Sequence, residues 1–87
     1  MTLIRLDMKT VYVEYYAALR EQRGVPAEYV SCAAATVHDL YEHLSAQHGL
    51  RFSPRNLRVA VYDAFVQWNH TLKDGDRVVF IPPVAGG

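Results

Sequence analysis

The chain predicts an α+β domain, a small sheet packed against one main helix. Three observations carry that reading. Short stretches of alternating apolar and polar residues, the period of a half-buried strand, lie near both ends and again in the second half. Between them runs a single apolar stripe at helical spacing, with Val37, Leu40, Tyr41 and Leu44 at i, i+3, i+4 and i+7. The chain has 87 residues, 51% of them apolar, which is enough for one core and one domain.

In order along the chain, Lys9 to Tyr16 opens as a strand. Val11, Val13 and Tyr15 fall on one face, and Tyr12, Glu14 and Tyr16 on the other. Ala17 to Arg23 is built from good helix formers and stops at Gly24, with Pro26 just beyond. Glu28 to Ala33 reads as a second strand, weakened by Ser31, Cys32 and Ala33. Thr36-Val37-His38-Asp39 has the spacing of a capping box, with Asp where Glu is preferred, and Gly49 closes the main helix that follows. Gly49 to Asn56, with Pro54, is a loop. Leu57 to Tyr62 is a strand that Asp63-Ala64 turns into a partner, Phe65 to Trp68. Lys73-Asp74-Gly75-Asp76 is a turn ahead of the last strand, Arg77 to Ile81. There is no internal repeat, low-complexity segment or second domain.

Composition narrows the function. Nine basic and nine acidic residues cancel, leaving no electrostatic footprint for nucleic acid or an anionic membrane. The lone Cys32 rules out an internal disulfide and suits a reducing compartment. The first residues lack the long apolar core and small-residue cleavage site of a signal peptide, and no run approaches a membrane span. A cytoplasmic chain is expected, with Met1 to Asp7 as a loose leader and Met8 as an alternative start.

Conventional catalytic motifs do not emerge. His38, His43 and His48 are spaced five apart, so on a helix each step turns them by roughly 140°, which spreads them around the cylinder. No metal site is expected of them, and His70 stands beside a turn. Cys32 has no second cysteine and no cation within three residues to activate it, so a buried structural thiol is expected. Asp74 and Asp76 flank Gly75 as turn residues do. Tyr12, Tyr15, Tyr16 and Tyr29 lack the basic groove that base stacking needs, and packing explains them. Nucleophile elbow, Walker loop and dinucleotide fingerprint are all absent.

What does stand out is the end of the chain. The apolar strand Val78-Val79-Phe80-Ile81 runs into Pro82 and Pro83, and Val84, Ala85, Gly86 and Gly87 follow. Proline offers no N–H to a ladder and holds the residue before it extended, so the sheet must end near Pro82. The four residues beyond the prolines can reach roughly 13 Å when extended, and the last two lack a Cβ that would bar them from a narrow slot. The expected object is a rigid domain, residues 8–81, bearing an extendable arm, residues 82–87, that ends in a carboxylate.

Leu72-Lys73-Asp74-Gly75-Asp76 followed by Val78-Val79-Phe80-Ile81-Pro82-Pro83-Val84-Ala85-Gly86-Gly87 closely resembles the small subunits of molybdopterin synthase, ubiquitin-like sulfur carriers. The similarity extends back through Val59-Ala60-Val61, the Thr36-to-Gly49 helix and the opening strand, covering roughly residues 8 to 87. It implies a β-grasp fold, a mixed sheet against one main helix. One departure is plain: that family commonly has Asn where this chain has Tyr62. Asn tolerates a left-handed backbone better than Tyr, so the turn around Asp63-Ala64 is expected to take another geometry.

The resemblance also implies a chemistry suited to the arm. A terminal carboxylate is ionised at neutral pH and a poor electrophile. An ATP-dependent adenylating enzyme would activate Gly87, and a persulfide donor would replace AMP to leave a thiocarboxylate. The arm, Pro82, Pro83, Val84, Ala85 and Gly86, would carry that sulfur into the large subunit of a heterotetramer, where it passes to a cyclic pyranopterin phosphate to build the dithiolene. This chain would bind no cofactor or metal itself and would not be catalytic alone. Phe80 and Ile81 are the candidates for partner contact nearest the arm; period-2 alternation puts Val78 and Phe80 on one face and Val79 and Ile81 on the other. A sulfur carrier of another pathway, of the thiamine type, and a ubiquitin-like protein modifier or adaptor are the alternatives.

Overall fold

The structure, a computed structural model, describes residues 8–83. The expected leader, residues 1–7, and the end of the arm, Val84 to Gly87, lie outside the described residues. The first alternation becomes β1, Lys9–Tyr15, with Val11, Val13 and Tyr15 buried. α1, Ala17–Arg23, ends as expected on left-handed Gly24 at φ 89°, whose N–H donates to the Arg20 carbonyl. β2 covers Ala27–Cys32, one residue earlier than the weak pattern suggested, because Glu14 pairs with Ala27 and Lys9 with Cys32.

α2, Val37–His48, begins on Thr36, whose hydroxyl accepts from the Asp39 N–H at 3.1 Å, and ends on left-handed Gly49. Two further N–H groups of its first turn are satisfied from elsewhere in the chain. Val37 donates to the His70 carbonyl at 3.0 Å and His38 to the Trp68 carbonyl at 3.1 Å. The loop after α2 contains a 3-10 turn, Pro54–Asn56, and leads into β3, Arg58–Val61.

The hairpin corrects two expectations. Its loop is Tyr62-Asp63, with both residues left-handed at φ 54° and 77°, the conformation of a type I′ turn. Tyrosine therefore keeps the geometry for which it looked unsuited. Its hydroxyl donates to the Gly75 carbonyl at 2.9 Å, and its N–H to the Arg77 carbonyl at 3.0 Å. Those bonds help offset a left-handed cost of roughly 1–2 kcal/mol. The returning strand β4 is only Ala64–Val66. Trp68, expected inside it, lies beyond, where its ring stacks on Phe80 with centroids 5.9 Å apart.

β5, Arg77–Ile81, completes a mixed sheet in the order β2-β1-β5-β3-β4. β5 is central, parallel to β1 and antiparallel to β3, while β1–β2 and β3–β4 are antiparallel pairs. This is the ubiquitin-like β-grasp, as the resemblance implied. Val11, Val13, Val59, Val61, Val78 and Phe80 form one face of the sheet and meet Leu19 from α1 and Val37, Leu40, Tyr41 and Leu44 from α2 in a single core. Both helices thus lie on the same side, and no described element covers the other. The turn before β5 works as expected: Asp76 accepts from the Lys73 N–H, Asp74 accepts from the Thr10 N–H, and Gly75 takes φ 86°. Cys32 is buried.

One polar cluster ties α1 to the sheet. Glu28 accepts from the Tyr15 hydroxyl at 2.6 Å and from both Arg23 Nε and Nη2, at 2.7 and 2.5 Å. The Arg23 hydrogen bond holds the Glu28 carboxyl below its usual value near 4.5, while partial burial works against it. Burial, then the bond to Glu28, pushes the Tyr15 hydroxyl well above its ordinary range. A depressed carboxyl pKa stabilises the fold above the unfolded value and loses that stabilisation as pH falls through the folded one. Glu28→Gln should therefore cost about 1–2 kcal/mol at neutral pH and have a shallower loss of stability below pH 4.5. Urea melts of both proteins across that range check this.

Candidate functional site

The site is built where the central strand leaves the sheet. The last ladder pair of β5 with β3 is Arg58–Ile81, and the last with β1 is Tyr15–Phe80. Pro82 follows at once, without an N–H to extend either ladder. Pro82 is buried and Pro83 exposed, so the stalk is seated at its base and open at its next residue. Because β1 runs parallel to β5, Tyr16 reaches the same end of the sheet as Ile81.

Around that exit the uncovered face of the sheet is apolar. Phe65 on β4, Ala60 on β3 and Val79 on β5 follow each other across the strands by register. With Tyr16, Asp63 and Ile81 they line a shallow depression of about 190 Å³. Phe65 is 64% exposed and Tyr16 49%, whereas Ala60 at their centre is only 7% exposed. Glu14, paired with Arg77, edges the patch. Farther out, Tyr12 and Tyr29 meet with ring centroids 4.9 Å apart. A second recess, of about 420 Å³, lies at the stalk itself, between Arg55, Asn56, Leu57 and Arg58 on one side and Ile81, Pro82 and Pro83 on the other.

The two candidates for partner contact part company here. Ile81 is half-buried on the uncovered face, beside the arm. Phe80 is fully buried, between Trp68 and the Tyr41 ring at 5.2 Å, and has no surface to offer a partner. Its face of β5 is the one the helices cover. Pro82 and Pro83 stand where the sequence put them; Val84, Ala85, Gly86 and Gly87 lie outside the described residues. Val79, Ala60, Phe65 and Tyr16 were missed as a surface. Alternation alone puts Val79 beside Ile81, but only the pairing of β5 with β3 and β1, and of β3 with β4, brings the other three to the same spot.

The remaining candidates for chemistry are spread out. Among the described residues no three His, Cys, Asp or Glu side chains gather as a metal site would require. His38 is half-exposed, 3.4 Å from Glu42 and edge-on to Trp68. No helix among the described residues is long and apolar enough to cross a membrane. The feature the described residues present is the stalk and its apolar surround.

Comparison with known proteins agrees with this geometry. The ThiS family matches residues 13–87. The molybdopterin synthase sulfur carrier subunit of Escherichia coli is 38% identical over 80 residues, which span 88% of this chain and 99% of that protein. Among solved structures, the putative molybdopterin converting factor subunit 1 of Pyrococcus furiosus superposes with a TM-score of 0.73 at 31% identity, over 87% of this chain and 99% of that one. The complex of subunits 1 and 2 of the molybdopterin-converting factor from Helicobacter pylori contains a chain that superposes with a TM-score of 0.61 at 28% identity, covering 90% of this chain and 99% of its own. A central strand ending in a Pro-Pro stalk, a β-grasp sheet and these likenesses together show that the chain belongs to the ThiS family of ubiquitin-like sulfur carriers.

Proposed function

We propose that this chain is the sulfur carrier subunit of a cytoplasmic molybdopterin synthase and that Gly87 carries the sulfur. The observation that carries the reading is the exit of the central strand. β5 is held by a neighbour on either side and passes without a loop into a buried Pro82, so whatever follows the stalk starts from a fixed base. The likeness to the Escherichia coli sulfur carrier over nearly its whole length favours the pterin pathway over the thiamine-type alternative.

The chemistry follows from the carboxylate. A carboxylate is activated by attack of its oxygen on the α-phosphate of ATP, which releases pyrophosphate and leaves an acyl adenylate. The terminal sulfur of a persulfide displaces AMP. A second thiol then attacks the donor's sulfur in the resulting acyl disulfide, which frees the thiocarboxylate and leaves the two thiols joined as a disulfide. That soft sulfur nucleophile then adds to a cyclic pyranopterin phosphate in the pocket of the large subunit. Water cleaves the acyl C–S bond of the resulting thioester, leaving the sulfur on the pterin and restoring the Gly87 carboxylate. Acid–base groups and the substrate pocket belong to the partners, and this chain supplies the reagent and its positioning. The sulfur must arrive on a tether held by a rigid sheet, which limits the orientations it explores.

The apolar patch of Tyr16, Ala60, Phe65, Val79 and Ile81 is the docking face for the large subunit. The Helicobacter pylori neighbour is a complex of two such subunits, which supports a partner of this kind. Protein purified from cells with an active pathway should show an intact mass raised by the difference between sulfur and oxygen, confined to the C-terminal peptide. Sulfur found only on Cys32, or Gly87 found joined to lysines of other proteins, would reject the carrier reading.

A further inference from the structure

We propose that the recess at the root of the arm, between Arg55, Arg58 and the Pro82-Pro83 stalk, is a docking site for an acidic segment of the large subunit that takes up the arm. The recess is about 420 Å³, with an apolar floor that includes Leu57, Ile81 and Pro82. Arg55 and Arg58 are exposed and form no ion pair among the described residues. That sets them apart from Arg23 and Arg77, which are matched to Glu28 and Glu14. Arg58 is also held at its guanidinium, and Arg55 at its backbone alone. The Arg58 guanidinium lies over the Phe65 ring, 5.5 Å from its centroid. Arg55 sits in the 3-10 turn, where its N–H donates to the Ser53 hydroxyl at 3.3 Å. A guanidinium fixed in advance loses less freedom when a carboxylate binds it.

The occupant follows from the length of the arm. From Pro83 the last four residues reach roughly 13 Å, so a tip buried in a partner's pocket brings the partner's surface down over the stalk. The rim of that pocket must then cover Arg55 and Arg58. Covering two unmatched cations with apolar surface strips their water for no return, whereas carboxylates restore it as charge-assisted, bidentate pairs. An acidic rim is therefore the partner chemistry that this recess fits. The inference rests on the sulfur-carrier reading and adds to it a charged contact that adjoins the apolar depression on the sheet, with which the recess shares Ile81.

The test is association with the recombinant large subunit of molybdopterin synthase from the same organism, by stopped-flow at low and high salt. The variants are the double charge reversal Arg55→Glu/Arg58→Glu and the charge-preserving Arg55→Lys/Arg58→Lys. Both sites are exposed, so melting temperatures should stay close to wild type, and the melt is run beside the kinetics. The reversal should slow association about tenfold or more at low salt and flatten the salt dependence. The lysine pair should keep the fast association and dissociate sooner, having lost the bidentate geometry. Wild-type association and salt dependence in the reversed variant, with dithiolene still formed, would overturn the recess assignment alone. Failure of wild type itself to bind the large subunit would overturn the sulfur-carrier reading and this inference with it. Pyrophosphate binding that shifts the Arg55 and Arg58 side-chain resonances of the isolated chain, while the reversed variant binds the large subunit as wild type does, would make the recess a small-anion site and overturn the acidic segment.

Discussion

Deletion of Gly86 and Gly87 is expected to abolish sulfur transfer while leaving the melting temperature of the domain almost unchanged. The stability half of that result follows from where the core lies. Every core residue from Val11 to Phe80 precedes the stalk, and the last ladder pairs end at Phe80 and Ile81. Removing residues beyond Pro83 takes away no described packing or strand pairing. The functional half follows from reach. Two residues fewer shorten the arm by roughly 7 Å, and the new carboxylate stops short of a reacting group placed for Gly87. One added residue after Gly87 overshoots by about 3.5 Å and should be equally inactive, since errors near 1 Å already cost about a hundredfold. Gly87→Ala should retain some activity, because only a Cβ is added to a slot fitted to bare backbone. A thermal melt beside a reconstituted assay with adenylating enzyme, persulfide source and large subunit separates the halves. A tail-deleted chain that still forms dithiolene at the wild-type rate would remove the arm from the mechanism.

The elements readable in the sequence were those specified by local physics. α1 and α2 each end on a glycine that takes the left-handed conformation, and the Thr36 hydroxyl forms the cap its spacing announced. The alternation of β1 and β5 gave their two faces correctly, because period 2 is a property of the strand alone. Interactions between distant segments decided what was misread. Trp68 continues an apolar run in the sequence, yet its carbonyl accepts from His38 at the start of α2 and its ring stacks on Phe80. Tyr62 looked unfit for a left-handed turn until its hydroxyl was found bonded to Gly75, 13 positions away.

The same distinction governs the site. The Pro82-Pro83 stalk was visible as a local signal, whereas the patch around it needs β1, β5, β3 and β4 in register. Phe65 and Val79 become neighbours only through Ala60, by way of β3. The recess likewise joins a loop residue, Arg55, to a stalk that lies far from it in sequence. Periodicity could say that one face of β5 was core and the other surface, but not which. Phe80, the larger side chain beside the arm, was a reasonable candidate for the surface, and the parallel pairing with β1 under the helices put it in the core instead.

That assignment of faces gives a sharp double test on adjacent residues. Phe80→Ala should cost about 3–5 kcal/mol, the usual loss for a buried aromatic, because its ring is fully buried against Tyr41 and Trp68. Such a loss approaches the whole stability expected of a domain this small, so the variant should be largely unfolded at physiological temperature. Ile81→Asp and Val79→Asp, on the half-buried outer face, place their charge toward solvent and should remain folded. Their effect should appear in binding instead. An apolar anchor near an interface centre is worth roughly 2 kcal/mol, about a thirtyfold loss of affinity for the large subunit. Circular dichroism melts and titration calorimetry with the large subunit read the two quantities independently. If Ile81→Asp and Val79→Asp both bind as tightly as wild type, the large subunit docks elsewhere. If instead Phe80→Ala folds normally and binds weakly, the core and docking faces of β5 have been exchanged.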